Sequence, residues 1–340
     1  MASRIHKMRV GINGFGRIGR TLTRILLEDD RFEIAVINDT SDSHSLAHLF
    51  KYDSIHGRSP YSISAEKDCI HIGSKSIAFY ACKTPGEIPW GTHHVDVVVE
   101  CSGQFKTRDA LQGHIDSGAR RVLLSVPPDD DSIKTIVLGI NDHLIADTDV
   151  FLSNASCTTN NAAPMIQLID ELCGIESCYI TTVHSYTGDQ RLHDSPHKDL
   201  RRSRAAALSI IPTTTGAAKA LTRVFPHLSH KMGGCGFRVP VPDGSLTDIT
   251  CNVRNPKSID EINQAFRSAS IERWSGILEY TEDPIVSVDI IGNEASCILD
   301  AKLTSVIGNM VKVVGWYDNE VGYSNRLRDI LVKMQNHALH

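Results

Sequence analysis

The sequence predicts an α/β protein built in two parts, and three observations carry that prediction. The first is a strand–turn–helix–strand unit near the start. Met8-Arg9-Val10-Gly11-Ile12 is a short apolar strand, and Gly14-Phe15-Gly16-Arg17-Ile18-Gly19 follows it as G-x-G-x-x-G. Residues 20–27 then read as an amphipathic helix and residues 32–37 as a second strand, ended by Asn38-Asp39. The second observation is that strand and helix patterns keep alternating to about residue 150, the mark of a doubly wound parallel sheet. The third is a shift after Met232 to strands in runs with helices set apart, the mark of an α+β domain with a mostly antiparallel sheet.

The first unit is a Rossmann half. Its glycines let the backbone approach a pyrophosphate, and the helix start offsets the phosphate charge. That places Gly14, Gly16, Arg17 and Ile18 at the phosphates. Asp39, 20 positions past the last glycine, can accept bonds from the adenosine ribose hydroxyls. An acid there also repels a 2′-phosphate, so NAD is the expected cofactor over NADP.

The remaining elements follow in order. Residues 45–52 look helical, and residues 61–79 read as short strands turning near Gly73. Residues 95–100 form a continuous apolar strand that stops at Cys101-Ser102-Gly103. A helix over 108–117 leads to a strand over 121–124, ending at Ser125. Ligands bind beyond such strand ends, so Ser102 and Ser125 either line the cofactor cleft or are ordinary loop serines. In the second part, residues 246–253, 285–291 and 310–314 alternate as strands, with a helix over 259–268. A last amphipathic helix covers 324–334.

Composition narrows the function. The chain has 340 residues, enough for two sizeable cores, and a formal charge of −5, which gives no electrostatic case for nucleic acid as the main partner. Its nine cysteines lack the CxxC or Cys/His spacing of zinc sites, so no metal is expected. Scattered free thiols suit a reduced, cytoplasmic compartment. Met1–Lys7 has charges without the apolar core of a signal peptide, and no stretch approaches membrane-spanning length.

One cysteine stands apart. Ser153-Asn154-Ala155-Ser156-Cys157-Thr158-Thr159-Asn160 is a polar turn between an apolar strand and a helical stretch. At a helix start the unpaired N–H groups favour a thiolate, so Cys157 is either a nucleophile or a buried structural thiol. Chain lengths favour the first. A helix from Cys157 to Leu172 covers about 24 Å, and a strand from Cys178 to His184 returns about 23 Å. Helix out and strand back would bring His184 beside Cys157, a thiol with its activating base.

The chain also resembles the phosphorylating glyceraldehyde-3-phosphate dehydrogenase family over nearly its whole length. The likeness rests on Ile12-Asn13-Gly14-Phe15-Gly16-Arg17-Ile18-Gly19-Arg20, the Ser-Asn-Ala-Ser-Cys-Thr-Thr-Asn stretch and His184-Ser185-Tyr186-Thr187. It continues through Thr213-Thr214-Thr215-Gly216-Ala217-Ala218-Lys219, Phe237-Arg238-Val239-Pro240 and Trp316-Tyr317-Asp318-Asn319-Glu320. The resemblance implies oxidation of a sugar-phosphate aldehyde through a Cys157 thiohemiacetal and thioester, with His184 as base and inorganic phosphate as the second reactant. It implies a substrate-phosphate site at Thr187, Asp189 and Arg238. It puts the attacking phosphate at Ser156, Thr158, Thr215 and Gly216, although a threonine run before an Ala-rich helix also reads as mere capping. Asn319 would meet the nicotinamide carboxamide. Residues 1–156 would be the NAD-binding domain, with the helix over 320–340 packing back on it, and 157–319 the catalytic domain of a homotetramer.

Three positions depart from the family pattern. Asn161 stands where many members have a second cysteine, Lys83 where an arginine often covers the adenine side, and Ser195 where strict NAD enzymes often have leucine. Some NADP use therefore stays open. The basic run His197–Arg204 has three readings: a nucleic-acid patch, a solvated loop or a subunit contact, of which the resemblance implies the last. An erythrose-4-phosphate dehydrogenase and a non-catalytic NAD-binding protein are the alternatives. Thr187 argues against the former and the full catalytic set against the latter.

Overall fold

A computed structural model describes residues 7–338. The readings made on Met1–His6 and on the last two residues lie outside the described residues. The chain divides into two compact units, the first taking residues up to 136, then 144–155 and 324 onward, the second 137–143 and 156–323.

In the first unit the strands are β1 (Met8–Asn13), β2 (Phe32–Asn38), β3 (Tyr52–Asp53), β4 (Gly57–Arg58), β5 (Ile63–Glu66), β6 (Cys69–Ile72), β7 (Lys75–Tyr80), β8 (Val97–Glu100), β9 (Arg121–Leu124), β10 (Lys134–Thr135) and β11 (Phe151–Ser153). Its helices include α1 (Arg17–Leu27), α2 (Ser43–Lys51) and α3 (Arg108–Asp116). Nine strands make one sheet in the order β10-β11-β9-β8-β1-β2-β7-β6-β5. From β10 to β7 all neighbours run parallel, and only the β7-β6-β5 edge is antiparallel. Val97 to Glu100 are all buried, as a central parallel strand covered on both faces requires. Strand order reverses at β1, between β2 and β8, and a ligand site is expected beyond that point.

Gly14 makes the turn there with φ +92°, and a Cβ on it would fall 2.5 Å from the Ser102 nitrogen. Only glycine fits.

The second unit holds α4 (Cys157–Cys173), β12 (Ile175–Ser185), β13 (Ile211–Thr213), α5 (Ala217–Val224), β14 (Met232–Val239), β15 (Ser245–Val253), α6 (Ile259–Ile271), β16 (Leu278–Thr281), β17 (Cys297–Asp300), β18 (Ser305–Ile307) and β19 (Met310–Tyr317). The final helix, α7 (Val321–Ala338), begins in this unit and continues in the first. The sheet order is β13-β14-β12-β15-β19-β17-β16, with β18 paired to β19. Antiparallel pairs dominate; β12–β14 and β16–β17 are parallel. Met165, Ile166 and Ile169 of α4 and Phe266 of α6 join Ile180, Ile249 and Val313 of the sheet in one core. That burial fixes α4 against the sheet, and with it the position of its first residue.

Three details differ from the sequence expectation. Residues 287–290 form a 3₁₀ turn, not a strand. The Asp289 carboxylate takes the Val286 N–H at 2.8 Å, removing a donor a ladder would need, and Val286 and Val288 are exposed. Residues 137–143 belong to the second unit, because Val137 enters its core and Trp274 Nε1 donates to the Gly139 carbonyl at 3.0 Å. The division between units also falls before Ser156 and, within α7, after Tyr323. In the first unit α7 buries Leu327, Ile330, Leu331 and Met334, and Arg121 donates to the Met334 carbonyl at 3.1 Å.

Candidate active site

Helix starts separate anchoring from binding. Asp42, Thr107, Ser156 and Ser258 cap α2, α3, α4 and α6 through their side chains. By contrast, α1 and α5 begin after Gly16 and Gly216 with no side-chain cap from either. An uncapped start leaves N–H donors for an anion. A Cβ built on Gly16 or Gly216 would meet no atom within 4 Å, so protein packing does not demand glycine at either place. The residues therefore fit a bound phosphate at both. At α5 one donor is already taken: Thr215 Oγ1 accepts the Ala217 N–H at 3.2 Å.

The rest of the dinucleotide set lies around the first turn. Asp39 accepts from the Phe15 N–H at 2.7 Å and the Ser41 N–H at 2.9 Å, which holds its carboxylate at the end of β2. Arg17 turns its guanidinium to Asp53 at 2.6 Å, so its side chain is engaged within the unit. Lys83 is exposed and ties its backbone N–H to Glu87. Ser102 and Ser125 both point their hydroxyl protons inward, to the Glu100 carboxylate and the Glu100 carbonyl.

In the second unit Cys157 is the first residue of α4, and Ser156 Oγ accepts the Thr159 N–H at 3.1 Å. The preceding Ala155 has φ 53°, a left-handed turn that swings the chain from β11 into the helix. Returning along β12, His184 brings Nε2 to 3.4 Å from Cys157 Sγ. The helix-out, strand-back geometry thus closes as its lengths require.

His184 Nδ1 lies between an acceptor, the Ser185 carbonyl at 2.8 Å, and a donor, Arg238 Nη1 at 3.0 Å. The tautomer with its proton on Nδ1 keeps the shorter bond, to the carbonyl, and is the one that leaves Nε2 facing the thiol as a base. Burial, reinforced by the Arg238 cation, pushes the imidazole down to about 3. Burial pushes the Cys157 thiol up to about 11, against the pull of Arg238 and of the Thr158 N–H and hydroxyl. Burial thus works against the thiolate that the helix start favours, and the thiol keeps its proton until a base takes it.

Arg238 is the centre of a second cluster. Nη1 lies 3.0 Å from the Ser185 carbonyl and 3.2 Å from Thr187 Oγ1. Thr187 in turn donates to Asp189. Burial would raise Asp189, but Thr187, Arg202 and Arg238 hold it below the usual carboxylate range. Thr187, Asp189 and Arg238 therefore meet, as do Cys157 and His184. Thr158 Oγ1 lies 2.9 Å from the buried Tyr317 hydroxyl, which reaches Thr182 at 3.0 Å. Asn319 Oδ1 accepts from Ser185 Oγ at 2.9 Å and Ser245 Oγ at 2.7 Å, which leaves its Nδ2 as the donor toward a ligand.

The sequence reading did not single out Arg202, Tyr317, Ser185 or Ser245. Arg202 bonds Asp189 at 2.5 Å and Thr213 Oγ1 at 2.9 Å, but in sequence it is one cation of a basic run. The serines carry no signal until β12 and β15 are in register.

A dinucleotide-type glycine turn in the first unit and a thiol beside an imidazole in the second are each features of one class, the NAD-dependent oxidoreductases. Known proteins narrow it. The family profile described as "Glyceraldehyde 3-phosphate dehydrogenase, NAD binding domain" matches residues 8–108, and "Glyceraldehyde 3-phosphate dehydrogenase, C-terminal domain" matches 156–319. A glyceraldehyde-3-phosphate dehydrogenase of Mycobacterium avium is 50% identical over 331 residues, covering 95% of this chain and 97% of the relative. Glyceraldehyde-3-phosphate dehydrogenase 2 of Streptomyces avermitilis is 50% identical over 332 residues, covering 97% and 99%. The corresponding Streptomyces arenae protein is 46% identical over 325 residues, covering 95% and 97%. The chain belongs to the glyceraldehyde-3-phosphate dehydrogenase family.

Proposed function

We propose that the protein converts glyceraldehyde 3-phosphate and inorganic phosphate to 1,3-bisphosphoglycerate, the glycolytic reaction, as a cytoplasmic homotetramer. The observation that carries this reading is the 3.4 Å approach of Cys157 Sγ to His184 Nε2 beside the Arg238 cluster. Membership of the family supports the substrate pair. Among the described residues no helix is long and apolar enough to cross a membrane.

Each residue has a step. Cys157 Sγ adds to the aldehyde carbon while its proton passes to His184 Nε2, so the buried thiolate need never stand alone. The imidazolium so formed donates to the new oxygen and steadies the thiohemiacetal. NAD⁺, when bound at the Gly14–Ile18 turn with Asp39 on its ribose, Ser102 and Ser125 along the cleft and Lys83 on the adenine side, would supply the acceptor for the hydride of the hemiacetal carbon, while His184 Nε2 takes the hydroxyl proton as the thioester forms. Asn319 Nδ2, its partner oxygen fixed by Ser185 and Ser245, donates to the carboxamide. Arg238 and Thr187 hold the substrate phosphate, and Arg202 keeps Asp189 from repelling it. Ser156, Thr158, Thr215 and Gly216 hold inorganic phosphate at the α5 start, where its oxygen attacks the thioester carbon and Cys157 leaves as the thiolate, to be reprotonated.

The test is kcat/KM for glyceraldehyde 3-phosphate and erythrose 4-phosphate, each with and without inorganic phosphate. Turnover should favour the triose phosphate and need phosphate; equal or better use of the tetrose phosphate would replace the substrate assignment.

A further inference from the structure

Glu100, the last residue of β8, is fully buried with His114 in the first unit. Four donors meet its carboxylate. Asn13 Nδ2 and His114 Nε2, the latter at 3.1 Å, reach Oε2; the Ser102 N–H at 2.7 Å and the Ser102 hydroxyl reach Oε1.

The direction of each bond follows from the two ends of the chain of contacts. Trp90 Nε1 can only donate, and it lies 3.0 Å from His114 Nδ1. Nδ1 therefore accepts, the His114 proton sits on Nε2, and it is given to Glu100. At the other end the Cys82 N–H donates to Asn38 Oδ1 at 2.9 Å, which makes Asn38 Nδ2 a donor to Asn13 Oδ1 at 2.8 Å. Asn13 Nδ2 is then a donor to Glu100. All bonds run inward, and Glu100 is the common acceptor.

The place matters as much as the chemistry. Asn38, Asn13 and Glu100 end β2, β1 and β8, and they are register partners across the three neighbouring strands. Gly14 follows Asn13, and the Ser102 nitrogen that Glu100 holds is the atom a Cβ on Gly14 would strike. Glu100 thus grips both walls of the switch point.

We propose that Glu100 is the positioning residue of the dinucleotide turn: braced by His114 and Trp90, its buried carboxylate draws Asn13 and Ser102 together and so sets the spacing of the glycine turn that receives the pyrophosphate. This rests on reading that turn as the NAD site. Glu100→Gln keeps the size but puts an NH₂ against donors on one side, so the two walls part. Trp90→Phe removes the donor that fixes the His114 tautomer and acts in the same direction, more weakly.

The experiment is calorimetric titration of NAD and of ADP-ribose into wild type, Glu100→Gln and Trp90→Phe, below the onset of unfolding, with steady-state kinetics beside it. Expected for Glu100→Gln is about tenfold weaker binding of both ligands, the loss of one charge-assisted bond. KM for NAD should rise in step, with kcat at saturating NAD within about twofold of wild type. A merely structural role would lower Tm and leave Kd alone. Unchanged Kd in folded Glu100→Gln overturns the proposal, and if that variant does not fold, unchanged Kd in Trp90→Phe overturns it. Wild-type protein that binds neither ligand would instead overturn the NAD-site reading itself.

Discussion

Nη1 of Arg238 lies 3.0 Å from Nδ1 of His184. With the Nδ1 proton on the Ser185 carbonyl, the guanidinium meets the imidazole as a neighbouring charge, and it disfavours a second positive charge on the ring. The same cation favours a Cys157 thiolate. One cation thus favours the thiolate and disfavours the imidazolium.

Stability should carry the mark of this buried neutral pair. His184 falls from 6.5 to about 3, so between those values the unfolded chain binds the extra proton and stability declines as pH falls. Cys157 rises from 9.0 to about 11, so above pH 9.0 the unfolded chain releases its proton first and stability declines as pH rises. Urea unfolding across pH should show both limbs, with His184→Asn flattening the acid limb and Cys157→Ser the alkaline one. Parallel curves for wild type and both variants would contradict the assignment.

Arg238 should matter for substrate as well as for thiol reactivity. Arg238→Gln should lower kcat/KM for glyceraldehyde 3-phosphate by roughly 10- to 100-fold, the worth of a charge-assisted bond. Iodoacetamide alkylation of Cys157 at pH 8 should slow, because the cation that favours the thiolate is gone. Faster alkylation would reverse the electrostatic argument.

Cofactor choice should turn on Asp39. Its carboxylate is pinned by two backbone N–H groups, so it cannot swing away from a 2′-phosphate. Asp39→Ser should shift the ratio of kcat/KM for NAD over NADP toward parity by about tenfold or more. Wild-type parity between the two cofactors would remove the basis for the NAD preference, and Ser195 would become the position to examine.

Asn161, one of the departures from the family pattern, has a structural task. Its Nδ2 donates to the Ser296 and Trp316 carbonyls at 3.3 and 3.2 Å, joining α4 to the end of β19. Asn161→Ala should cost about 1–2 kcal/mol by removing two buried hydrogen bonds. Denaturant unfolding measures this; a cost near zero would mean the bonds contribute nothing net.

What the sequence made legible was set by local pattern and by length. The glycine turn between β1 and α1 and the acid at the end of β2 are neighbours in sequence, and their chemistry is local. The meeting of Cys157 and His184 was also legible, because one helix and one returning strand fix both ends. Register and burial were not. Glu100 and His114 read as a strand-end acid and a helix histidine until β8 and α3 pack. Likewise, Ser185 and Ser245 meet Asn319 only through the pairing of β12 with β15 and of β15 with β19. The alternating residues around Val286 looked like a strand because exposure cannot be read from alternation alone. The desolvation of Cys157 stayed hidden for a related reason: the helix start is visible in sequence, but the burial that opposes it is not.

In the proposed reaction Cys157 carries the acyl group between oxidation and phosphorolysis. The most direct measurement of this role is a single turnover with glyceraldehyde 3-phosphate and NAD in the absence of inorganic phosphate, followed by intact-protein and peptide mass spectrometry. Expected are a burst of about one equivalent of NADH per subunit, a phosphoglyceryl group on Cys157, and its release as acyl phosphate when phosphate is added. A full burst with no adduct on Cys157, or one retained in Cys157→Ala, would contradict this role.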